Sequence, residues 1–192
     1  KTPDRPPGPA DSLRTYDSEW ANASNTAFRL YKQYVHEGGI STPFIARWPR
    51  FIRRGGTVTD QLGHVTDIMP TLVDIAGASY PDMLRGNRVL PAEGQSLEPV
   101  LTGGETFRHD PIYWEFSGNR AVRDGRWKLV ARRSKDWELH DMEADRTEVH
   151  DIIDEHPDRA VKPGRMYDRW AKRVGARTNR QGRNTTPSSQ PR

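Results

Sequence analysis

The chain of 192 residues contains no cysteine. That absence excludes disulfide bonds, thiolate metal sites and cysteine catalysis within this sequence. Long apolar runs are also missing, and without about 18 consecutive apolar residues the sequence predicts no membrane-spanning helix. Residues 1–10 are rich in proline and have no apolar centre, which does not match a signal peptide and is typical of a loop entered in mid-protein.

Hydrophobic residues are scarce, at 33% of the chain, whereas charged residues make up 29%. Six tryptophans and scattered Leu, Ile and Val residues still predict a packed core. Fifteen prolines and sixteen glycines predict many loops. The length suits one domain or parts of two.

The formal net charge of +4 belongs to the C-terminal tail. Residues 176–192 carry four arginines and no acidic residue, and subtracting those four charges leaves residues 1–175 neutral. The tail is otherwise rich in Asn, Thr, Ser and Pro, a composition that predicts disorder. A neutral body argues against a nucleic-acid partner.

The first part of the chain predicts loops, one strand and one helix. Residues 20–28 contain turn-forming and capping side chains and predict an irregular loop. Residues 43–48 form a short apolar run bounded by prolines, which predicts a buried strand of either a parallel or an antiparallel sheet. A helix is expected from Asp67, with Pro70 in its first turn, to a stop at Gly77.

The second part predicts a small antiparallel sheet. Its expected strands are residues 112–116, 120–123, 126–131 and 137–140. The pair Asp124-Gly125 between two such runs is a strong hairpin signal. Residues 149–153 and 166–174 show helical spacing and could cover the sheet, with a break between them at Pro163-Gly164. Residues 78–110 are expected to be mostly loop.

The segment with most potential for chemistry runs from Lys32 to Gly39. The ammonium group of Lys32 could bind an oxyanion, or it could be an ordinary surface lysine. His36 could donate a proton or orient a substrate, or it could be a partly buried histidine bonded to backbone. Glu37, before two glycines, favours a structural anion that accepts loop N–H bonds over a catalytic base.

Other polar residues favour structural roles. His64 and Asp67 stand three residues apart at the head of the predicted helix, a spacing that metal sites use. A cap is the favoured role of Asp67. His140-Asp141 at a strand end predicts a turn. The sequence contains no P-loop, Rossmann glycine pattern, HExxH or GxSxG motif.

Four segments together resemble the sulfatases, most closely bacterial arylsulfatases, within the alkaline phosphatase superfamily. The resemblance extends from about residue 16 to residue 175. Its segments are residues 20–29, residues 32–43 with Lys32 and His36-Glu37-Gly38-Gly39, residues 64–77, and residues 118–148, which include Gly125-Arg126-Trp127-Lys128-Leu129. Several spaced matches in the right order are more specific than any single motif.

The resemblance implies an α/β fold and the hydrolysis of a sulfate ester to sulfate and an alcohol or phenol. In that family lysines, histidines, an arginine and a divalent cation, usually calcium, stabilise the sulfate oxygens, and the nucleophile is a formylglycine made from Cys or Ser. The position that contacts sulfate matches Lys32. His36 falls in the same segment and is a weaker candidate.

The sequence departs from the family in one decisive respect. The (Cys/Ser)-x-Pro-x-Arg motif of the nucleophile is absent, and the echo at residues 41–45 has Ile45 in place of the arginine. The acidic residues that hold the cation are missing too. We therefore expect the C-terminal part of a sulfatase, inactive alone: residues 1–110 from the α/β domain, 111–175 as a sheet-and-helix subdomain, and 176–192 as a tail.

Two other interpretations stay open at this stage. The chain could be a non-catalytic binding or oligomerisation module derived from a sulfatase, or part of a phosphate or phosphonate ester hydrolase of the same superfamily. The expected partner is a small-molecule sulfate ester, with neither a membrane nor a nucleic acid. By family analogy the compartment is periplasmic or cytoplasmic, and the sequence does not indicate an oligomeric state.

Overall fold

The computed structural model describes residues 17–53, 55–104 and 109–176. The predicted N-terminal loop and the tail predicted to be disordered lie almost wholly outside these ranges. Five helices are described: α1 (Ser18–Ser24), α2 (Glu37–Ile40), α3 (Ile68–Ile75), α4 (Glu98–Leu101) and α5 (Pro157–Val174), with a 3₁₀ turn at Val65–Asp67. No helix of the described part is long and apolar enough to cross a membrane.

The described strands form two antiparallel sheets. Strands β1 (Met83–Leu84) and β2 (Asn87–Arg88) form a short ribbon, and β3 (Ile112–Phe116), β4 (Asn119–Asp124), β5 (Trp127–Ala131) and β6 (Glu138–Asp141) form a meander in that order. Asp124 pairs with Trp127 around a two-residue turn in which Gly125 has φ of 62°. A glycine at this position suits a type II′ hairpin, and the predicted hairpin is confirmed.

Both faces of the four-stranded sheet are covered, because successive side chains of a strand point to opposite sides. On one face Val122, Leu129 and Leu139 pack against α5, mainly against Tyr167. On the other face a second apolar cluster joins Val35 to the sheet; its sheet members are Ala121, Val130 and the partly buried Trp114. The segment from Lys32 to Gly39, which contains Val35, thus covers one face of this sheet.

The helix at Asp67 is confirmed, with Gly77 in the left-handed region just beyond its end. The loop that follows α3 folds back onto this helix. The backbone N–H of Leu97 donates to Thr71 Oγ1 at 2.9 Å, and Leu97 is buried.

Two predictions for the first part of the chain are wrong. Part of the expected loop at residues 20–28 is helical, since α1 spans Ser18–Ser24. Residues 43–48 form neither a strand nor a buried segment, and Ile45 is 89% exposed. An apolar run forms a strand only where another strand can satisfy its backbone, and no strand of the described residues lies beside this run.

The prediction for the C-terminal helices is confirmed for residues 166–174 and wrong for the rest. Residues 149–153 are not helical, and a single helix, α5, continues through Pro163 and Gly164. Both residues are buried against the sheet, with a Cβ at Gly164 only 3.8 Å from Leu129 Cδ2. Proline removes one helical hydrogen bond and costs about 3 kcal/mol in a helix interior, and burial of this face offsets that cost. The expected α/β class with a small antiparallel sheet and C-terminal helix is confirmed.

Candidate functional site

Lys32 lies on a tight turn within residues 29–40, named here the lysine turn. Its side chain is exposed, and no ion pair joins it to another residue in the described part of the chain. The turn is closed by the N–H of Tyr34, which donates to the carbonyl of Tyr31 at 3.1 Å. Asn119 Nδ2 on the sheet donates to the carbonyl of Gln33 at 2.9 Å. The lysine ammonium is therefore exposed to solvent on a backbone that is fixed to the sheet.

Gly38 and Gly39 hold the lysine turn by their lack of side chains. A Cβ on Gly38 would lie 2.3 Å from the carbonyl oxygens of Arg29 and Leu30. A Cβ on Gly39 would lie 2.0 Å from the carbonyl oxygen of Tyr34. No real Cβ makes such contacts, so this close backbone approach requires glycine at both positions. The glycines are a scaffold for the turn.

A buried ion cluster of Lys128, Glu37 and Glu148 lies directly beneath the lysine turn. Lys128 Nζ is 2.8 Å from Glu37 Oε1 and 2.7 Å from Glu148 Oε1. The second contact is close in distance but is not aligned as a hydrogen bond. Glu148 Oε2 instead accepts a 2.7 Å hydrogen bond from the backbone N–H of Glu37. Lys128 and Glu148 are completely buried, and Glu37 is 4% exposed.

The cluster revises the interpretation of Glu37. A structural anion was expected, but with loop N–H groups as its partners, whereas its side chain pairs with a buried lysine 91 residues away. Sequence reasoning did not identify Lys128 at all. No local signal indicated its burial, because Lys128 lies between Trp127 and Leu129 in a strand, where alternation places a lysine on the face opposite to its apolar neighbours. A lysine at such a position is rarely buried unless it is paired.

His36 is completely buried, and neither ring nitrogen has a hydrogen-bond partner among the described residues. Its Nε2 lies 3.6 Å from Glu138 Oε2, beyond normal hydrogen-bond length. The expected alternative, a partly buried histidine bonded to backbone, is wrong in both burial and partner. A side chain shut away from solvent cannot donate a proton to a substrate in this conformation, so His36 contributes to packing beneath the lysine turn.

Glu138 carries the charge beside His36. It forms an ion pair with Arg29, and His140 Nε2 lies 3.4 Å from its Oε2. Burial opposes ionisation of this carboxyl group. The neighbouring imidazole rings of His140 and His36 and the positive charge of Arg29 outweigh burial and hold the pKa of Glu138 well below its ordinary value. Arg29 and Glu138 thus fix the first residue of the lysine turn to strand β6.

Asp67 is completely buried and connects three segments. Its carboxylate accepts hydrogen bonds from the N–H of His64 at 2.6 Å, the N–H of Gln95 at 2.8 Å and, at 2.8 Å, Nε2 of His109. A Cβ on Gly94 would lie 2.6 Å from Asp67 Oδ1, which explains the glycine beside it. The predicted structural role of Asp67 at the head of the helix is confirmed.

The described residues do not fit a calcium site, because no group of three or more His, Cys, Asp or Glu side chains in these ranges could hold a metal ion. His64 caps the 3₁₀ turn that precedes α3. Burial lowers the pKa of its imidazole; the negative charge of Asp67 opposes this decrease, and the charge of His109 adds to it. His64 is accordingly a neutral hydrogen-bonding group that caps the 3₁₀ turn, with Nδ1 accepting from the N–H of Thr66 at 3.4 Å.

Comparisons with known proteins identify the family of this chain. Residues 27–169 match the family model described as N-sulphoglucosamine sulphohydrolase, C-terminal. The chain is 30% identical to an uncharacterised sulfatase of Schizosaccharomyces pombe over 79% of this chain and 28% of that protein. It is 35% identical to arylsulfatase A of Bos taurus over 52% of this chain and 19% of that protein.

A solved structure in complex with its substrate D-glucosamine-2-N,6-O-disulfate is 22% identical, with a TM-score of 0.43, over 60% of this chain and 25% of that one. The chain therefore spans about a quarter or less of the length of these relatives. The family match covers most of the present sequence, including the lysine turn, the buried ion cluster and the four-stranded sheet. The chain belongs to the sulfatase family and corresponds to its C-terminal part.

Proposed function

We propose that this chain supplies part of the active site of a sulfuric ester hydrolase, in which the ammonium group of Lys32 binds an oxygen of the substrate sulfate. Family membership supports the reaction class. One structural observation carries the residue assignment: an exposed lysine stands on a turn whose backbone is locked by Gly38, Gly39 and Asn119. A merely solubilising lysine does not need such a support.

The charge distribution of the reaction explains the use of a lysine. When the ester bond breaks, negative charge develops on the departing oxygen and is redistributed over the sulfate oxygens. A fixed cation beside those oxygens lowers the energy of the transition state more than that of the ground state. The locked backbone of the lysine turn holds the ammonium of Lys32 in one region, so that it can act as such a cation.

The nucleophile and the cation belong to the proposal for the complete enzyme. A formylglycine would supply the attacking oxygen and calcium would bind sulfate oxygens there. The present chain has no motif for the former, and its described residues do not fit the latter. We therefore expect no turnover when the purified chain is assayed with an aryl sulfate and calcium. Turnover comparable to a complete sulfatase would contradict this proposal.

The role of Lys32 is tested in a complete enzyme that contains this sequence. Lys32→Ala is expected to lower kcat/KM for an aryl sulfate by about 2–4 kcal/mol of transition-state stabilisation, roughly 30- to 900-fold. Lys135→Ala is the matched control, because Lys135 is also an exposed lysine on a turn. An unchanged rate in Lys32→Ala would refute the assignment.

The ester class is tested in the same preparation. Aryl sulfate, aryl phosphate and aryl phosphonate are compared at equal concentrations. We expect the sulfate to give the highest kcat/KM. A clear preference for phosphate or phosphonate would transfer the role of Lys32 to that ester, and no activity toward all three would favour a binding module.

A further inference from the structure

Burying the ion cluster costs free energy, because charged groups lose their hydration. Three charged side chains are removed from water, and the attraction between them commonly does no more than compensate for the lost hydration. Apolar residues of similar volume would fill the space beside Val35, Ala121 and Val130 equally well. What an ion cluster provides that an apolar contact does not is a fixed direction for each partner.

The ion cluster fixes the position of Glu37 and, with it, the backbone of the lysine turn. Glu37 is held twice, through its side chain by Lys128 and through its backbone N–H by Glu148. The two glycines that follow it lie against carbonyl groups on both sides of Lys32. A shift of Glu37 would therefore move Gly38 and Gly39 away from these carbonyls and release the backbone that carries Lys32.

Nearby arginines balance the net negative charge of the buried ion cluster and help to hold Glu37 in place. Two carboxylates share one ammonium group, which leaves an excess negative charge in a buried position. Arg146 Nε lies 3.9 Å from Glu37 Oε2 and partly balances it. Arg123 is also close: burial lowers the pKa of its guanidinium group, and the charges of Glu37 and Glu148 oppose that change. Glu37 thus faces cations on two sides.

We propose that Lys128, with Glu148, is a positioning residue that sets the location of Lys32 through Glu37. This inference rests on the proposed function of Lys32. Lys128 itself is completely buried and does not touch substrate. Its contribution to the reaction is geometric, since a displacement of about 1 Å at a reacting group can lower a rate about 100-fold.

The decisive experiment is a double-mutant cycle in a complete enzyme that contains this sequence. Lys128→Met keeps the length of the side chain and removes its charge. We expect kcat/KM for an aryl sulfate to fall about 10- to 100-fold. Lys32→Ala with Lys128→Met should then be no slower than Lys32→Ala alone, because Lys128 acts through Lys32. Losses that multiply in the double variant would overturn the proposal.

Two further variants separate positioning from folding. Glu148→Gln keeps an acceptor for the N–H of Glu37 and lowers the buried charge, so it provides a milder perturbation if Lys128→Met does not fold. We expect it to lower kcat/KM by a smaller factor with the same absence of further loss on Lys32→Ala. Lys162→Met is the control, because Lys162 is an exposed lysine paired with Asp124 at 3.1 Å, and its kcat/KM should not change.

Hydrogen exchange on the 192-residue chain provides a readout that does not depend on activity. In Lys128→Met the amides of Tyr34, Gly39 and Ser41, which donate to carbonyls of the lysine turn, should exchange at least tenfold faster relative to those of α5. Unchanged exchange would overturn the positioning proposal. If the complete enzyme hydrolyses no sulfate ester, the proposed function fails, and exchange alone then decides whether the cluster holds the turn.

Discussion

Replacing Gly39 by Ala tests how closely the lysine turn is packed. Gly39 lies in the short helix α2 with an ordinary backbone conformation, so strain in φ plays no part. A Cβ would lie 2.0 Å from the carbonyl oxygen of Tyr34 and 2.8 Å from that of Tyr31, whereas ordinary contacts begin at 3.4 Å. Both neighbours are backbone atoms that cannot rotate away, so the turn itself must move.

Overpacking of this kind costs about 1–3 kcal/mol. The better helix propensity of alanine opposes the loss by about 1 kcal/mol. Because the clash is with backbone, we expect a net decrease in the unfolding free energy of about 1–2 kcal/mol. In a chain of this length that corresponds to a fall in Tm of about 2–8 °C. Thermal unfolding followed by tryptophan fluorescence measures the difference.

Gly55→Ala is the matched control for this experiment. No atom lies within 4 Å of a Cβ at Gly55, and its backbone is not in the left-handed region. Its stability should be unchanged or rise by up to about 1 kcal/mol, because alanine restricts the unfolded chain. A Tm of Gly39→Ala equal to that of the control would refute the claim that glycine is required by space.

Two further predictions concern the buried carboxylate of Asp67 and the partly buried carboxylate of Glu138. Asp67→Asn should lower the unfolding free energy in urea titrations by about 1–3 kcal/mol, the cost of one buried donor left without an acceptor. Asp74→Asn is the control: it lies at an exposed helix position, and it should change the unfolding free energy by less than about 0.5 kcal/mol. Equal effects of the two substitutions would contradict the buried network. Glu138, with a lowered pKa, contributes stability that is complete above its ordinary pKa of 4.5 and is lost as the pH falls toward the folded value. Glu138→Gln should therefore flatten the decrease of Tm below pH 4.5, and an unchanged pH profile would count against the pairing with Arg29.

Local patterns predicted those elements whose stability is local. The hairpin at Asp124-Gly125 depends on a turn geometry that glycine supplies, and the helix after Asp67 depends on capping and on the stop at Gly77. Turn signals between short strand-like runs located the four strands of the meander. In each case the determining contacts lie within a few residues of each other in the sequence.

The wrong predictions concern elements that depend on distant surfaces. Pro163-Gly164 breaks an isolated helix, but in α5 both residues are buried, Gly164 lies beside Leu129 of strand β5, and the helix continues. The apolar run around Ile45 looks like a core strand, yet it is exposed within the described part of the chain. The periodicity of apolar residues and their helix or strand propensity do not indicate which distant element a segment packs against.

Only the part of the candidate site that is local in sequence could be predicted. Lys32 and the two glycines could be singled out because they are close in sequence. Lys128 and Glu148 could not be connected to Glu37, since they lie 91 and 111 residues further along the chain. A buried lysine in a strand indicates that some anion must pair with it, but not which one.

The separation of these partners has a consequence for protein synthesis. Glu37 leaves the ribosome 111 residues before Glu148. At about 5–20 residues per second the delay is roughly 6–22 s, during which the glycine-rich turn has no sheet to lie on. The lysine turn is therefore among the last parts of this region to reach its final conformation. A pause, cleavage or premature stop before residue 148 would leave that turn incomplete although every residue from 29 to 40 had been made.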